Sequence, residues 1–326
     1  MVLFNPSSGK GKTLKYMKTI TQQLSKGRMA IDCIVTESED HLRRTAASAV
    51  KTSDQYVAIV GVGGDTTFNI IASEILKHKN DYKPEIALGM IGTGSANDVT
   101  KSLGLKTIDA ACRAIINGNI KKMDVGYVKI CKKLQPFQSS SETETFFFLG
   151  TLSLGLGVTV NQYVEGFHQQ HKILSKWKPL NQILPALYSI YDSFSKKKIP
   201  LQVDMEYQNF LNNEHIKLPV KFSLLVFLNT PFYANGLQLG VDNGIADGVL
   251  DCCIINTKSF LQTIIDGIRI WRRERSQINN LTLFQSNWFK ITSPECIDFQ
   301  VDGEIIQRIN EIEISIIPRC LDVFSI

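Results

Sequence analysis

The sequence predicts two structural classes in one chain, an N-terminal α/β domain built on a parallel sheet and a C-terminal antiparallel β-sandwich domain. The chain has 326 residues, more than one compact domain usually holds. Its pattern alternates between strand-like and helix-like segments up to residue 124 and is mostly strand-like afterwards. We therefore expect domains at 1–124 and 125–309 with a cleft between them, and residues from about 310 to 326 can return to the first domain.

The first domain repeats a strand–helix order. Strands are predicted at 2–4, 29–35, 56–60 and 86–91. Apolar residues at helical spacing stand between them, for example Phe68, Ile71 and Ile75. A βαβα order predicts a parallel sheet with helices on its faces, and ligands of such sheets bind at the carboxyl ends of the strands.

The second domain is mostly β-like. Its predicted strands are 127–131, 146–160, 201–207, 218–229, 249–255, 288–293, 298–301 and 312–317. Many strands with little helix favour an antiparallel sandwich. Two helical insertions are predicted at 179–195 and 258–275.

Composition narrows the class of protein. Seven cysteines, an odd number without Cys-x-x-Cys spacing, indicate reduced thiols and a cytosolic protein. Pro6 and Ser7 interrupt the first apolar run, so we expect no secretion signal at this start. The apolar window 146–160 is too short to span a bilayer. The net charge of +5 is mild, and no basic stripe alternates with aromatic residues, so a nucleic-acid partner is not expected.

Three predicted strands end in Gly-rich segments that run into helices. They read Asn5-Pro6-Ser7-Ser8-Gly9-Lys10-Gly11-Lys12-Thr13, Gly61-Val62-Gly63-Gly64-Asp65-Thr66-Thr67 and Gly92-Thr93-Gly94-Ser95-Ala96-Asn97-Asp98. Loop amides, a helix N-terminus and a lysine together can hold phosphate. The first segment lacks the first Gly of a P-loop and the second lacks the last Gly of a dinucleotide fingerprint, so each alone also fits a plain turn. Three such Gly-rich segments at one edge of a parallel sheet predict a nucleotide-binding site.

Two acidic segments lie downstream. Asp247-Gly248 precedes an apolar strand, and Asp302-Gly303-Glu304 follows one. Asp-Gly is also a common hairpin signal, so a structural role stays open for both. In a cleft, these carboxylates can bind Mg²⁺ or accept a proton from an attacking hydroxyl.

In this order, the segments resemble the catalytic domain shared by diacylglycerol kinases, sphingosine kinases and soluble bacterial lipid kinases, and the resemblance extends over nearly the whole chain. It also rests on Ser102-Leu103-Gly104, Asn229-Thr230-Pro231-Phe232-Tyr233 with Gly236, Ala246-Asp247-Gly248-Val249-Leu250-Asp251 and Ile317-Pro318. The resemblance implies an ATP-dependent lipid kinase, with ATP and a lipid hydroxyl meeting in the cleft between the nucleotide-binding domain and the sandwich.

The resemblance also implies residue roles. Asp302 is the expected general base, with Glu304 as the rival assignment. Asp247 is expected to organise a Mg²⁺ site with backbone carbonyls around Gly244 and Val249. The nucleotide is expected to contact Asn5, Ser8, Gly9, Lys10, Thr36, Gly63, Gly64, Asp65, Thr66, Thr67, Gly94, Ser95, Asn97 and Asp98.

Two departures from the family pattern leave alternatives open. Thr66 stands where the family has a second Gly, and Ile70 stands where it has Glu. A Cβ at position 66 obstructs a close approach of backbone to phosphate or a positive φ. A nucleotide- or lipid-binding homologue with weak or no activity, and a kinase for a soluble hydroxyl such as that of NAD, therefore remain alternatives.

The lipid partner implies a bilayer. Leu180, Ile183, Leu184, Leu187, Tyr191 and Phe194 fall on one helical face flanked by lysines, and Trp271 stands beside arginines. Such helices either rest on anionic membranes or pack on the sandwich, and both interpretations stay open. We expect a cytoplasmic protein that associates peripherally with the membrane and can form a homodimer; the sequence does not identify the lipid.

Overall fold

The N-terminal part is a parallel sheet covered by helices. The computed structural model describes residues 1–27, 29–52, 54–78, 86–132, 142–170, 180–196, 198–209 and 214–326. The elements up to residue 116 are β1 (Val2–Phe4), α1 (Ser8–Gly11), α2 (Met17–Ser25), β2 (Cys33–Val35), α3 (Glu39–Lys51), β3 (Ala58–Gly63), α4 (Asp65–Lys77), β4 (Ala87–Gly92), α5 (Asp98–Ser102) and α6 (Ile108–Ile116). The strands pair in parallel in the order β4-β3-β1-β2.

The apolar runs explain why these strands lie in the centre of the molecule. Every residue of β1 and β3 is buried, as expected for strands covered on both faces. Ser38 caps α3 by accepting a hydrogen bond from the His41 N–H at 3.0 Å, and Thr107 caps α6 by accepting one from Ala110 at 3.1 Å. The predicted α/β class is confirmed here.

The C-terminal part is dominated by antiparallel strands. Its elements are β5 (Ile120–Lys132), β6 (Glu142–Phe148), β7 (Thr151–Gly155), α7 (Leu156–Gln170), α8 (Leu180–Ser195), β8 (Leu201–Gln208), β9 (His215–Phe222), β10 (Leu224–Leu228), β11 (Phe232–Tyr233), β12 (Leu237–Gln238), β13 (Leu250–Ile255), α9 (Phe260–Trp271), β14 (Leu281–Ser286), β15 (Trp288–Val301) and β16 (Glu304–Phe324). The predicted class is confirmed for this part too.

Hydrogen bonding joins both parts into one sheet. The order is β14-β13-β10-β7-β15-β16-β4-β3-β1-β2, with β5–β6 branching from β16 and β8–β9 from β15. Strand β16 is antiparallel to β15 and β5 and pairs in parallel with β4 where Val323 lies opposite Leu88. The last strand of the chain therefore connects the antiparallel region to the parallel sheet.

The hydrophobic residues form separate cores. The α/β core contains Phe4 and Phe68 together with Val323 of the last strand. A second core between the antiparallel strands is built on aromatic residues, among them Phe148, Phe222, Phe227, Phe289 and Phe299. A third and smaller cluster lies under α9. Each part thus has its own core, as expected for a chain of this length.

Three predicted strands were wrong in detail. The run 146–160 is not one strand, because Gly155 has a φ of +77° and a helix begins at Leu156. An apolar run by itself cannot distinguish a buried strand from a buried helix. The predicted strand 29–35 is shorter, at Cys33–Val35, and 218–229 is divided at Ser223, whose hydroxyl donates to the Ile255 carbonyl at 2.9 Å.

The β5–β6 pair gives a test of core packing. Gly126 lies opposite Phe148, and a Cβ at this glycine would overlap the buried Phe148 ring. We expect Gly126→Ala to lower the free energy of unfolding by about 1–3 kcal/mol, as overpacking does. Urea denaturation measures it. Gly166→Ala is the control, because a Cβ at position 166 would meet no described atom within 4 Å apart from its own helix backbone and chain neighbours. An unchanged urea midpoint for Gly126→Ala would contradict the observed packing.

Candidate active site

The three Gly-rich loops meet at the carboxyl ends of β1, β3 and β4. The Asn5 Nδ2 in the first loop donates to the Thr67 hydroxyl at 2.9 Å, which ties it to the second. The backbone N–H groups of Thr93 and Gly94 in the third loop donate to the Gly63 carbonyl at 2.7 and 3.0 Å. The structure therefore brings together the segments that the sequence singled out.

Glycine is required where these loops touch. Gly9 has a φ of +60°, and a Cβ there would overlap the Thr93 carbonyl oxygen. A Cβ on Gly94 would lie 2.6 Å from the Gly64 Cα, so the second and third loops face each other through bare backbone. Glycine at positions 9 and 94 is therefore needed for the close packing of the loops on one another.

The other predicted nucleotide contacts differ in accessibility. Ser8 is half-buried and Ser95 is exposed, so both hydroxyls can reach a ligand. Asn97 has a φ of +54°, and its Nδ2 donates to the Gly94 carbonyl at 3.0 Å, whereas its buried Oδ1 has no partner among the described residues. Thr36 is 2% exposed and its hydroxyl donates to the Phe4 carbonyl at 3.1 Å. The side chain of Lys10 lies outside the described part of the chain.

Asp65 is the first residue of α4 and lies beside the third loop. Its two carboxylate oxygens accept the N–H groups of Asp98 at 3.1 Å and Val99 at 3.3 Å. Burial raises the pKa of Asp65 to about 6, and the negative charge of Asp302 adds to the effect. A carboxylate with this pKa can change its protonation state near neutral pH.

Asp98 links the third loop to the antiparallel part. Its Oδ1 pairs with the Lys101 ammonium at 2.9 Å, and its Oδ2 accepts the Asn235 N–H at 2.9 Å. Asn235 lies in the turn between β11 and β12, within the segment 229–236 that the family resemblance included. Asp98 thus acts as a bridge between the two halves of the site.

Asp302 lies in the two-residue turn between β15 and β16, with a φ of +45° followed by Gly303 at +95°. The hairpin that Asp-Gly predicted is therefore present. The carboxylate is 8% exposed and accepts four hydrogen bonds, from Asn69 Nδ2 at 2.8 Å and from the N–H groups of Leu149, Gly150 and Thr151 at 2.7, 2.9 and 2.8 Å. Burial raises the pKa of Asp302, while these donors act in the opposite direction.

Sequence reasoning missed Asn69. Besides Asp302, its Nδ2 donates to the Phe147 carbonyl at 2.7 Å, so one amide joins α4 to the antiparallel part. Asn69 stands one turn after Asp65 on the same helix, between the two departures Thr66 and Ile70. Asn69 shares a polar helical face with Asp65 and Ser73, and this polar stripe in the sequence was the available signal.

Thr66 and Ile70 fit the fold without strain. Thr66 lies in the first turn of α4, is exposed, does not have a positive φ, and its hydroxyl donates to the Asp302 carbonyl at 3.4 Å. The expectation that its Cβ would meet a positive φ is therefore wrong. Ile70 is 3% exposed within the α/β core.

Glu304 and Asp247 lie apart from the acids described above. Burial raises the pKa of Glu304, with Glu39 adding to the effect, and this side chain does not line the cavity described below. Asp247 is exposed, and its Oδ1 accepts the Val249 N–H at 3.2 Å. The backbone turns at Gly244 with a φ of +98°. Among the described residues, no group of three or more His, Cys, Asp or Glu side chains could hold a metal, so the Mg²⁺ site at Asp247 stays a prediction.

A cavity of about 590 Å³ begins at the acidic residues and extends into the antiparallel part. Asp65, Ser95, Asp98 and Asp302 line its polar end. The walls further in are mostly apolar and come from α7, α8, α9 and the strands: Leu156, Val160, Val164, Ala186, Ile190, Leu224, Phe232, Leu237, Leu239, Ile255 and Ile270. Sequence reasoning did not predict this cavity, because its walls come from segments far apart in the chain.

Polar side chains also stand in the cavity wall. Gln300 is 8% exposed, and its Oε1 has no hydrogen-bond partner among the described residues. Burial raises the pKa of the neighbouring Tyr233 to about 12, and its hydroxyl donates to the Ser153 hydroxyl at 3.3 Å. Gln300 lies near the end of β15 and Asp302 in the turn that follows, and both residues line the cavity.

Comparison with known proteins identifies the class. Residues 1–128 match the family model of the diacylglycerol kinase catalytic domain. "Putative lipid kinase YtlR" of Bacillus subtilis (strain 168) is 21% identical over 306 residues, which cover 93% of this chain and 92% of that protein. "Probable lipid kinase YegS" of Escherichia coli O1:K1 / APEC is 24% identical over 267 residues, 81% of this chain and 76% of that protein.

A solved structure shares the fold. It is titled "Crystal structure of a putative diacylglycerol kinase from Bacillus anthracis str. Sterne", and it superposes with a TM-score of 0.69 at 16% identity over 100% of this chain and 96% of that chain. The resemblance to the diacylglycerol kinase family is confirmed. A phosphotransferase of the kinase class follows, and this class implies the use of a nucleotide such as ATP. No helix among the described residues has the length and apolar character needed to cross a bilayer.

The bonds of Asp302 give a test. Asp302→Asn replaces an acceptor by an amide group that faces N–H donors, so we expect the free energy of unfolding to fall by about 1–3 kcal/mol. Urea denaturation measures the change. Glu304→Gln, in the same hairpin but exposed, should stay within about 0.5 kcal/mol. Equal stability of wild type and Asp302→Asn would contradict the four-donor arrangement.

Proposed function

We propose that the protein is an ATP-dependent lipid kinase that transfers the γ-phosphoryl group to the hydroxyl of diacylglycerol or a related lipid. The observation that carries the proposal is one cavity of about 590 Å³ with an acidic end beside the three loops and a mostly apolar remainder. A hydroxyl at the polar end and hydrocarbon along the walls match the chemistry of a lipid alcohol.

The three loops support the nucleotide part of the proposal. Helix α4 begins at Asp65 directly after the second loop, so its N-terminal N–H groups and its dipole favour phosphate beside the loops. The buried Asn97 Oδ1, which lacks a partner among the described residues, is suited to accept a hydrogen bond from a nucleotide donor. These features fit ATP, and bound ATP supplies the phosphoryl group.

We assign the proton acceptor to Asp65. Asp302 was the expected base, but four donors occupy its oxygens, so protonation would disrupt that arrangement. Asp65 accepts two longer bonds, lines the cavity and has a pKa raised to about 6 by burial. In the proposed step the lipid oxygen bonds to the γ-phosphorus, its proton passes to Asp65, and the bond from that phosphorus to the β–γ bridging oxygen breaks to release ADP.

In the proposed reaction, the divalent metal ion is carried by the nucleotide phosphates. Mg²⁺ neutralises phosphate charge in phosphoryl transfer. The described residues do not form a metal cluster, so no step is assigned to a protein-bound ion. In this scheme Asp302 is a positioning residue that holds the segment at Gly150 and Thr151 along the cavity.

Two alternative functions, a kinase for a soluble hydroxyl and a homologue without turnover, each depend on one feature of the chain. A kinase for a soluble hydroxyl such as that of NAD would need polar walls, whereas this cavity is mostly apolar. A homologue without turnover was suggested by Thr66 and Ile70, and both residues fit the fold without strain. A lipid substrate implies that the protein works at the bilayer surface as a peripheral protein.

The acceptor class is tested by a transfer assay. The purified protein is incubated with γ-labelled ATP, Mg²⁺ and either a mixed lipid extract, NAD or neither. We expect label in a lipid phosphate with the extract only. Label on NAD would support the soluble-substrate alternative, and ATP binding by calorimetry without label in either arm would support a binding protein.

The pH dependence tests Asp65. A base with a pKa of about 6 is roughly one-tenth ionised at pH 5, so the transfer rate should be about tenfold lower at pH 5 than at its plateau above pH 7. Asp65→Asn should lose at least about a hundredfold in rate while retaining ATP binding by calorimetry. A wild-type rate that does not change between pH 5 and pH 7 would assign the proton transfer to another group.

A further inference from the structure

Two helices that wall the cavity also carry an exposed apolar surface. On α9, Leu261, Ile265, Ile268 and Trp271 are 71%, 44%, 50% and 74% exposed. At 100° per residue these four positions fall on one side of the helix. Three cavity-lining residues of the same helix, Thr263, Asp266 and Ile270, fall on the opposite side. Helix α9 therefore lines the cavity with one face and exposes an apolar face on the other side.

Helix α8 extends this surface. Ile183, Tyr188 and Tyr191 are 53%, 58% and 57% exposed. The ring of Tyr191 packs edge-on against Phe260 of α9, with centroids 6.0 Å apart, so the two helices are in contact at these rings. We call this set of Ile183, Tyr188, Tyr191, Leu261, Ile265, Ile268 and Trp271 the α8–α9 face.

The charges around the α8–α9 face have one predominant sign. The acidic residues of the two helices are Asp192 and Asp266, and they are only 4% and 2% exposed. Asp192 accepts the Tyr163 hydroxyl and pairs with lysines, and Asp266 accepts amide groups of Gln262 and Asn280. The helices therefore present no exposed carboxylate.

Cations stand at the ends of the helices. Lys258 precedes α9, Arg272 and Arg273 follow it, and Lys196 and Lys198 follow α8; all five are exposed. Asp192 pairs with Lys196 at 2.8 Å and with Lys198 at 3.4 Å. Glu274 lies 3.9 Å from Arg272, so three of these five charges are offset in part. Exposed apolar and aromatic side chains bordered by cations are the pattern of helices that lie in the interface of an anionic bilayer.

We infer that the α8–α9 face docks the protein on anionic lipid bilayers, with the apolar side chains in the headgroup boundary and the flanking cations on lipid phosphates. The inference rests on the proposed function, in which the substrate is a lipid that the protein takes from a bilayer. Docking through these helices sets the cavity directly behind the bilayer contact, so a lipid alcohol has a short path from the bilayer to Asp65. A second copy of the chain is the competing occupant of the same surface.

Vesicle binding tests the inference with the full chain. Sedimentation uses vesicles of phosphatidylcholine with or without phosphatidylglycerol. We expect binding that requires phosphatidylglycerol and weakens with salt. Leu261→Gln with Ile268→Gln should weaken binding about tenfold or more, because two side chains no longer enter the interface. Val57→Gln is the control, since Val57 is 82% exposed in the α/β part; this variant should bind as the wild type does.

Two further measurements separate the outcomes. Transfer to a short-chain diacylglycerol dispersed as monomers should be unchanged in the double variant, while transfer to diacylglycerol in anionic vesicles should fall with binding. The vesicle-binding measurement does not require catalysis. Absence of transferase activity would therefore contradict the proposed function without affecting the test of docking. Equal vesicle binding by wild type and double variant overturns the inference, as does a wild-type dimer in sedimentation velocity that the double variant converts to monomer.

Discussion

The arrangement of the site depends on the buried carboxylate of Asp302. It accepts an amide N–H from α4 and three backbone N–H groups from the segment that leads into β7. A charged acceptor in a nearly dry position interacts strongly with such donors, and leaving any of them without a partner is costly. These bonds connect the Gly-rich loops to the cavity, because Asp302 stands where β15 turns into β16 and Asn69 belongs to the helix that starts at Asp65.

The same geometry suits Asp302 and Asp65 to different roles. A carboxylate with all its acceptor positions filled is suited to holding backbone, whereas Asp65, with two longer bonds and a pKa raised to about 6, is suited to proton exchange. The raised pKa of Asp65 arises from burial first and from the charge of Asp302 second. The positioning acid therefore also contributes to the basicity of the proposed proton acceptor, so their effects on activity are coupled.

The cavity and the outer surface share their walls. Helices α8 and α9 both line the cavity and both expose apolar residues. For a kinase of a lipid alcohol, this gives the substrate an apolar environment from bilayer to active site, and the chain avoids transferring hydrocarbon through water, which is unfavourable at about 0.8 kcal/mol per CH₂.

The sequence alone determined the α/β and antiparallel classes, the three Gly-rich loops and the Asp302-Gly303 hairpin, because local periodicity and residues with special backbone freedom encode these features. It did not separate β7 from α7 at Gly155, since a continuous apolar run fits both a buried strand and a buried helix. Only the tertiary structure decided the partners of Asp302, the contacts of Asn69 and the mostly apolar cavity. Those features join residues more than 70 positions apart, and their contacts arise from packing that no local pattern records.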